Sequence, residues 1–331
     1  MSDYTSPVIT VLMSCYNGAM WLGEAIESVL NQTFGDYEFI IVDDGSRDNS
    51  LEIINSFASK DVRIVVISKE NSGLADSLNI GIQAARGEWV ARLDADDVCD
   101  PTRLQKQLSR AKDNPNLVFL GSGLQIIDEF GVSGDTYLYP EDHKHLLKNL
   151  SSGQKFPAHS SAFFCRSKAI EVGGYRSRIK RAEDCDLWLR LAEIGELGSI
   201  HEPLVMVRKH AAQISHDDYG KRQIIDAHMA MISYWLRRSG APDPIMADDR
   251  NFEFFSMWVA DQLEEEHFFD FMDYSRNLKK FRKKFFCNKV VFYINIKNML
   301  SNPMFFIRYL HTRFFGYNTS IRLANEWKSG N

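Results

Sequence analysis

Four short runs rich in β-branched and apolar residues, PVITVLMS, EFIIVDD, VRIVVIS and EWVARLD, recur through the first hundred residues. Each of the first three is followed by a stretch with helical periodicity. In WLGEAIESVLNQTF, the residues Trp21, Leu22, Ala25, Ile26, Val29 and Leu30 fall on one stripe. DNSLEIINSF opens with capping residues before Leu51, Ile54 and Phe57, and SGLADSLNIGIQAA repeats the pattern. A strand that returns to the same sheet through a helix runs parallel to its predecessor. The alternation therefore predicts an α/β fold, a mixed, mostly parallel sheet flanked by helices. Further on, LVFLGSGLQIID and PLVMVRKH read as strands and AEDCDLWLRLAEIG as a helix. From about Asp217 the chain reads as helices, which predicts a catalytic-size domain over 1–216 and a mainly helical extension over 217–331.

Ligands of such sheets sit at the carboxyl ends of the strands, and this sequence gathers polar residues there. SCYN (Ser14–Asn17) ends the first strand, Asp43 and Asp44 end the second, and Asp94 and Asp96 end the fourth. Carboxylates two residues apart on an extended segment project to the same side. Asp94 and Asp96 are thus placed to share an oxygen-loving cation, Mg²⁺ or Mn²⁺, whose shell is completed by water and substrate phosphate. Asp97 reads as shaping the turn, and Asp100 before Pro101 as a helix cap. VDDGSRDNS carries both a turn signal and helix caps, so Asp43 and Asp44 have structural as well as binding readings. A strand-end carboxylate can also accept the imide N–H of a pyrimidine, with Tyr16 supplying an apolar face for the base.

VITVLMSCYNG, LNQTFGDYEFIIVDDGSRDNS, NSGLADSLNIGIQAARGEWVARLDADD and RAEDCDLWLRLAEIG together resemble the bacterial family 2 glycosyltransferases, over about the first 215 residues and in order. The resemblance implies a GT-A type nucleotide-sugar fold. It implies that Ser14, Tyr16 and Asp44 surround the uracil and ribose of a UDP-sugar, with Asn17 and Asp43 alongside. Asp94, Ala95 and Asp96 form the D-x-D, Asp96 being the direct metal ligand. Asn71, Gly73, Asn79 and Arg86 are implied to lie beside the donor. VRKHAAQIS puts Arg208, His210 and Ser215 near the diphosphate, with His210 completing the metal shell.

RAEDCDLWLRL sets Glu183, Asp184 and Asp186 at the start of a helix, where acids also suit the macrodipole. By the resemblance Asp184 is the general base, and Glu183, His159, Ser160 and Trp188 border the acceptor, an exposed polar loop being the alternative for His159 and Ser160 in FPAHSSAFF. An acceptor hydroxyl must lose its proton as it attacks the anomeric carbon, and a positioned base contributes about 10²–10⁴ in rate. One base and one cation suffice for single displacement with inversion. No second, nucleophilic carboxylate stands out for a double displacement.

Of the formal charge of -5 the last 56 residues, Arg276–Asn331, hold twelve Lys and Arg against one acid, Glu326, while 27 basic and 43 acidic residues precede them. NLKKFRKKFF and MFFIRYLHTRFF mix these cations with aromatic residues, the composition of a segment lying on an anionic membrane surface. That favours a saccharide acceptor carried on a lipid, in cell-surface polysaccharide synthesis of the O-antigen or lipopolysaccharide kind, by a peripheral protein on the cytoplasmic face. A solvated basic helix face is the alternative. No apolar stretch reaches the 18–20 residues needed to span a bilayer, no basic leader precedes the first strand, and no nucleic-acid module is present. Cys15, Cys99, Cys165, Cys185 and Cys287 are far apart, as expected of free thiols. The turn after the first strand lacks G-x-G-x-x-G and any Gly-rich phosphate loop, which argues against a dinucleotide oxidoreductase and a sugar nucleotidyltransferase. A non-catalytic sugar-nucleotide binder would keep every donor residue. The loops around 121–180 hold no decodable specificity pattern.

Overall fold

The computed structural model describes residues 6–210, 220–265 and 319–329. The chain divides into two compact units: Met1–Leu150 with Lys155–Tyr219, and Ser151–Gln154 with Gly220–Asn331.

In the first unit β1 (Ile9–Cys15), β2 (Tyr37–Asp43), β3 (Ile64–Ser68) and β4 (Trp89–Arg92) alternate with α1 (Ala19–Leu30), α2 (Ser50–Ala58) and α3 (Leu74–Ala84). They pair in parallel in the order β3-β2-β1-β4. Every residue of β2 is buried, because helices cover both faces of a central parallel strand, and its sequence is accordingly a continuous apolar run. Against this sheet α1 lays down Leu22, Ala25, Ile26 and Val29. Burial of each larger side chain in that stripe is worth roughly 1.5–3 kcal/mol, and the stripe rather than intrinsic propensity holds the helix.

Beyond β4 the sheet becomes mixed. β5 (Val98–Cys99), α4 (Arg103–Lys112), β6 (Leu117–Asp128), β7 (Ser133–Tyr137), α5 (His143–Ser151), β8 (Phe163–Cys165), α6 (Arg166–Glu171), α7 (Glu183–Leu191) and β9 (Glu196–Lys209) follow. The three-residue β8 inserts antiparallel between β4 and β6. β9 lies parallel to β6, β5 runs antiparallel on β9, and β7 forms a hairpin with β6. Too short to show alternation, β8 left no periodic signal in the sequence. Its position is nonetheless decisive, since the turn preceding it is delivered to the carboxyl end of β4.

The described part of the second unit is helical apart from its connections: α8 (Lys221–Arg238), α9 (Asp249–Glu265) and residues 319–329. Trp327 packs on Phe255 and Trp258 with ring centroids 4.9 and 5.0 Å apart. Ser215 and both basic-aromatic stretches lie outside the described residues.

Candidate functional site

The turns after β1 and β2 are laced together. Asn17 adopts a left-handed conformation at φ 52°, which Asn tolerates better than most residues. Its N–H donates to Ser46 Oγ at 3.0 Å, and its side-chain oxygen accepts from Arg47 N at 2.8 Å. Gly18 N donates to Ser50 Oγ, and Ala19 N to Asp48 Oδ2. Ser14, next to the end of β1, is half-buried, and the Tyr16 ring stands 48% exposed above the turn.

Asp43 and Asp44 are buried. Asp44 accepts from Ser72 N and Gly73 N, both at 2.9 Å, and from Lys69 Nζ, while its carbonyl takes the Asn71 amide. Burial pushes this carboxyl up, but the Lys69 hydrogen bond and the two backbone donors outweigh it and the net shift is downward. Asp44, Asn71 and Gly73 therefore form one bracket around the start of α3. Gly45 makes the bracket possible: it sits at φ 72°, and a Cβ there would stand 2.8 Å from Asn71 N. Asp43 differs, because its Oδ1 is buried with no partner.

The loop after β4 carries the densest charge. Carboxylate oxygens of Asp94, Asp96 and Asp97 lie within 4.8 Å of one another. Arg92, 1% exposed, pairs with both oxygens of Asp94. Ser160 Oγ reaches Asp94 Oδ2 at 2.7 Å and also contacts Asp97, whose other oxygen accepts from Arg208 N at 2.9 Å. Asp96, with its side chain 30% exposed, meets His210 Nε2 at 2.8 Å. The His210 ring lies on Trp21 with centroids 4.1 Å apart, and its Nδ1 is buried without a partner. Burial raises Asp96 and Asp97, the latter strongly, and the neighbouring Asp94 charge adds to both. Asp94 is also penalised by burial, yet Arg92 draws it down overall. Ala95 is close enough to Gly18 that a Cβ on the glycine would meet its own at 3.6 Å.

This donor set fits a hard divalent ion. Oxygen ligands at 2.0–2.1 Å in an octahedral shell stand about 3 Å from one another, close to the Asp96–His210 spacing. Crowded carboxylates with raised pKa are also what a cation would relieve. Asp97 belongs to this group, although its sequence reading was a turn residue.

The second cluster stands at the amino end of α7. Glu183 is buried and Asp184 half-buried. Burial, followed by the Asp184 charge, pushes Glu183 up to about 8, and burial also raises Asp184, whose Oδ1 accepts from Cys185 N. His159 Nδ1 lies 4.0 Å from Glu183, and its Nε2 is 2.8 Å from Tyr175 Oη. Burial first, then Arg92, depresses His159 well below the usual imidazole range, so the ring is neutral at pH 7. Asp186 is instead fully buried and salt-bridged to Arg190 at 2.7 Å.

Four expectations need correction. Arg86 is not beside the donor: its N–H and Nε bind Glu38 at 2.6 and 2.7 Å, and Glu38 also accepts from Thr10. Thr10 and Glu38 sit at the amino ends of β1 and β2, across the sheet from the strand-end carboxylates. Asn79 bonds through both amide groups to the Tyr175 backbone at 2.8 Å. Trp188 does not border an open acceptor site; it is buried among Phe119, Phe164, His159 and Tyr175. Arg208 is buried beneath the acidic loop, its guanidinium committed to Asp96 O, Asp128 O and Glu24. Conversely Arg92 and Tyr175 were missed as parts of the site, and Ser160, expected at the acceptor, turns instead to the acidic loop after β4. Only Arg92 left a signal, a cation inside the apolar run EWVARLD.

Residues 10–173 match the sequence profile of Glycosyl transferase family 2. EpsE of Bacillus subtilis, named as a glycosyltransferase, is 35% identical over 210 residues, covering 62% of this chain and 74% of EpsE. An uncharacterized glycosyltransferase of Haemophilus influenzae is 32% identical over 218 residues, covering 63% of this chain and 68% of that protein. Among solved structures, S. aureus TarS 1-349 in complex with UDP-GlcNAc aligns with a TM-score of 0.58 at 17% identity, over 69% of this chain and 66% of TarS 1-349. The mannosyltransferase PcManGT from Pyrobaculum calidifontis, in complex with GDP-Man and Mn²⁺, aligns with a TM-score of 0.54 at 16% identity, over 98% of this chain and 88% of PcManGT. At those identities the structures speak to the fold, which is of the GT-A type. The sequence relatives carry the classification, and the chain belongs to glycosyltransferase family 2.

Proposed function

We propose that this glycosyltransferase moves a sugar from a nucleotide diphosphate donor, a UDP-sugar, to a saccharide acceptor with inversion at the anomeric carbon. The observation that carries the reading is the pair of acidic clusters, Asp94–Asp97 and Glu183–Asp184, with Arg92 and the turn His159–Ser161 between them. Asp96 and Asp94, with His210, would hold Mn²⁺ or Mg²⁺, which when bound supplies positive charge to the departing diphosphate. Tyr16 would stack on the base, and Asp43 Oδ1, buried and unpartnered, suits a base N–H donor. Asp184 would take the proton of the acceptor hydroxyl; its upward shift brings it closer to the range where a carboxylate is an effective base at neutral pH.

UDP and UDP-GlcNAc in the TarS structures and GDP-Man in PcManGT support a nucleotide-sugar donor. The acceptor in this reading is a lipid-linked saccharide at the cytoplasmic leaflet, approached through the basic C-terminal region. No described helix is long and apolar enough to cross a membrane.

The test is transfer by the full-length protein across a panel of UDP- and GDP-sugars with Mn²⁺, with the product's anomeric configuration read by NMR. Asp184→Asn should keep UDP affinity and lose transfer by about 10²–10⁴-fold, whereas Asp96→Ala should lose Mn²⁺-dependent UDP binding. Full transfer by Asp184→Asn removes it as base, and a retained anomeric configuration refutes inversion.

A further inference from the structure

The turn His159–Ser161 presents neighbouring side chains to the two acidic clusters. His159 meets Tyr175 and approaches Glu183. Ser160, buried, turns to the loop after β4. Its Oγ accepts from Asp94 N at 3.1 Å and Arg92 Nη1 at 3.2 Å, and it contacts both Asp94 Oδ2 and Asp97 Oδ2. A hydroxyl has two lone pairs and one proton. The two N–H donors fill its acceptor capacity, so the two carboxylates compete for its single proton. Asp94 and Asp97 flank the turn that carries Ala95 and Asp96, so one oxygen atom ties both sides of that turn. Without it, the buried Asp97 Oδ2 would lose the hydrogen bond it makes among the described residues.

We propose that Ser160 is a positioning residue for metal-dependent donor binding, its hydroxyl holding the Asp94–Asp97 loop in the curvature that presents Asp96. This rests on the metal-dependent transferase reading above. Partners that orient metal ligands without touching the metal typically contribute 10–100-fold in metal affinity.

Ser161 is a built-in control. It is equally buried and lies in the same turn, but its hydroxyl donates to Ala158 O at 2.8 Å and accepts from Ser122 N, away from the carboxylates. Full-length wild type, Ser160→Ala, Ser160→Thr and Ser161→Ala are titrated with Mn²⁺ in the presence of UDP by calorimetry, and the unfolding midpoint of each is measured. Ser160→Ala should weaken Mn²⁺ binding about 10–100-fold, while Ser161→Ala loses a comparable amount of stability and keeps its Mn²⁺ affinity. Ser160→Thr, which retains the hydroxyl, should recover part of the loss. In transfer assays Ser160→Ala should need correspondingly more Mn²⁺ for half-maximal rate and approach the wild-type rate at saturation, a rescue that general unfolding would not allow. Should the alanine variant fail to fold, Ser160→Cys, similar in size with a weaker donor, must show the same direction of shift. Equal Mn²⁺ affinity in the Ser160 and Ser161 variants overturns the assignment. A wild type whose UDP binding ignores Mn²⁺ overturns the metal-dependent reading itself, and the wild-type titration alone tells the two failures apart.

Discussion

Replacing Arg208 by Met separates the two roles open to this side chain, a clamp on donor phosphate or a bracket under the acidic loop. The substitution keeps most of the aliphatic stem and removes the donors to Asp96 O at 3.0 Å, Asp128 O at 3.3 Å and Glu24 Oε2 at 2.6 Å. Asp96 O, left without its charged donor, costs about 1.5–3 kcal/mol, and Asp128 O, which keeps Gly131 N at 3.0 Å, costs about 0.5–1.5 kcal/mol. Glu24, with half its side chain in water, rehydrates, so that ion pair adds at most about 1 kcal/mol. Relief from burying a guanidinium offsets part of the sum, leaving a net loss of roughly 2–4 kcal/mol. For a unit of this size that lowers the unfolding midpoint by about 5–15 °C. Calorimetric unfolding of the full chain, paired with UDP titration at a temperature where the variant is folded, measures both quantities. An unchanged midpoint together with tenfold or weaker UDP binding would refute the bracket and restore the clamp.

Asn79→Ala should cost about 2–4 kcal/mol, because it strips the partners from both backbone groups of the buried Tyr175; UDP affinity should stay unchanged, and a selective loss of UDP binding would contradict this role. The Glu183 carboxyl, raised from 4.5 to about 8, makes the folded chain bind more protons than the unfolded one across that interval, so its contribution to stability is full below about pH 4.5 and is lost as pH rises toward 8. His159, shifted downward, acts with the opposite sign below about pH 7, so the informative quantity is the midpoint difference between wild type and Glu183→Gln without added metal. The wild-type midpoint minus that of Glu183→Gln should fall further from pH 7 to pH 8.5 as wild type loses stability, and a difference constant with pH would show that Glu183 is not raised.

The β1–α1–β2–α2–β3–α3–β4 series was legible because central parallel strands are apolar throughout and their helices carry one apolar stripe, so local patterns follow from position in the layers. The strand-end carboxylates were legible for a related reason: parallel strands in one sheet end on the same side, which gathers Asp43, Asp44, Asp94 and Asp96 without any knowledge of the loops. Arg86 shows where that logic stops. It neighbours the donor motifs in sequence, but it precedes β4 rather than following it, and on a parallel sheet that difference is the full length of a strand. Asn79, Trp188 and Arg208 failed differently. Residue type marks a polar or aromatic group as available for binding, whereas the packing around it decides whether its donors already have partners.

The order of residues along the chain was enough to determine the layered architecture and the chemical character of the crevice, because both depend on hydrophobic periodicity and on which end of a strand a residue occupies. Which groups work together was decided only in three dimensions. The short antiparallel β8 carries Ser160 to Asp94 across 66 positions of sequence, and the same turn carries His159 to the start of α7. Contacts made over that separation depend on strand order and burial, and it is burial that raises Glu183 most; no local pattern of residues encodes them.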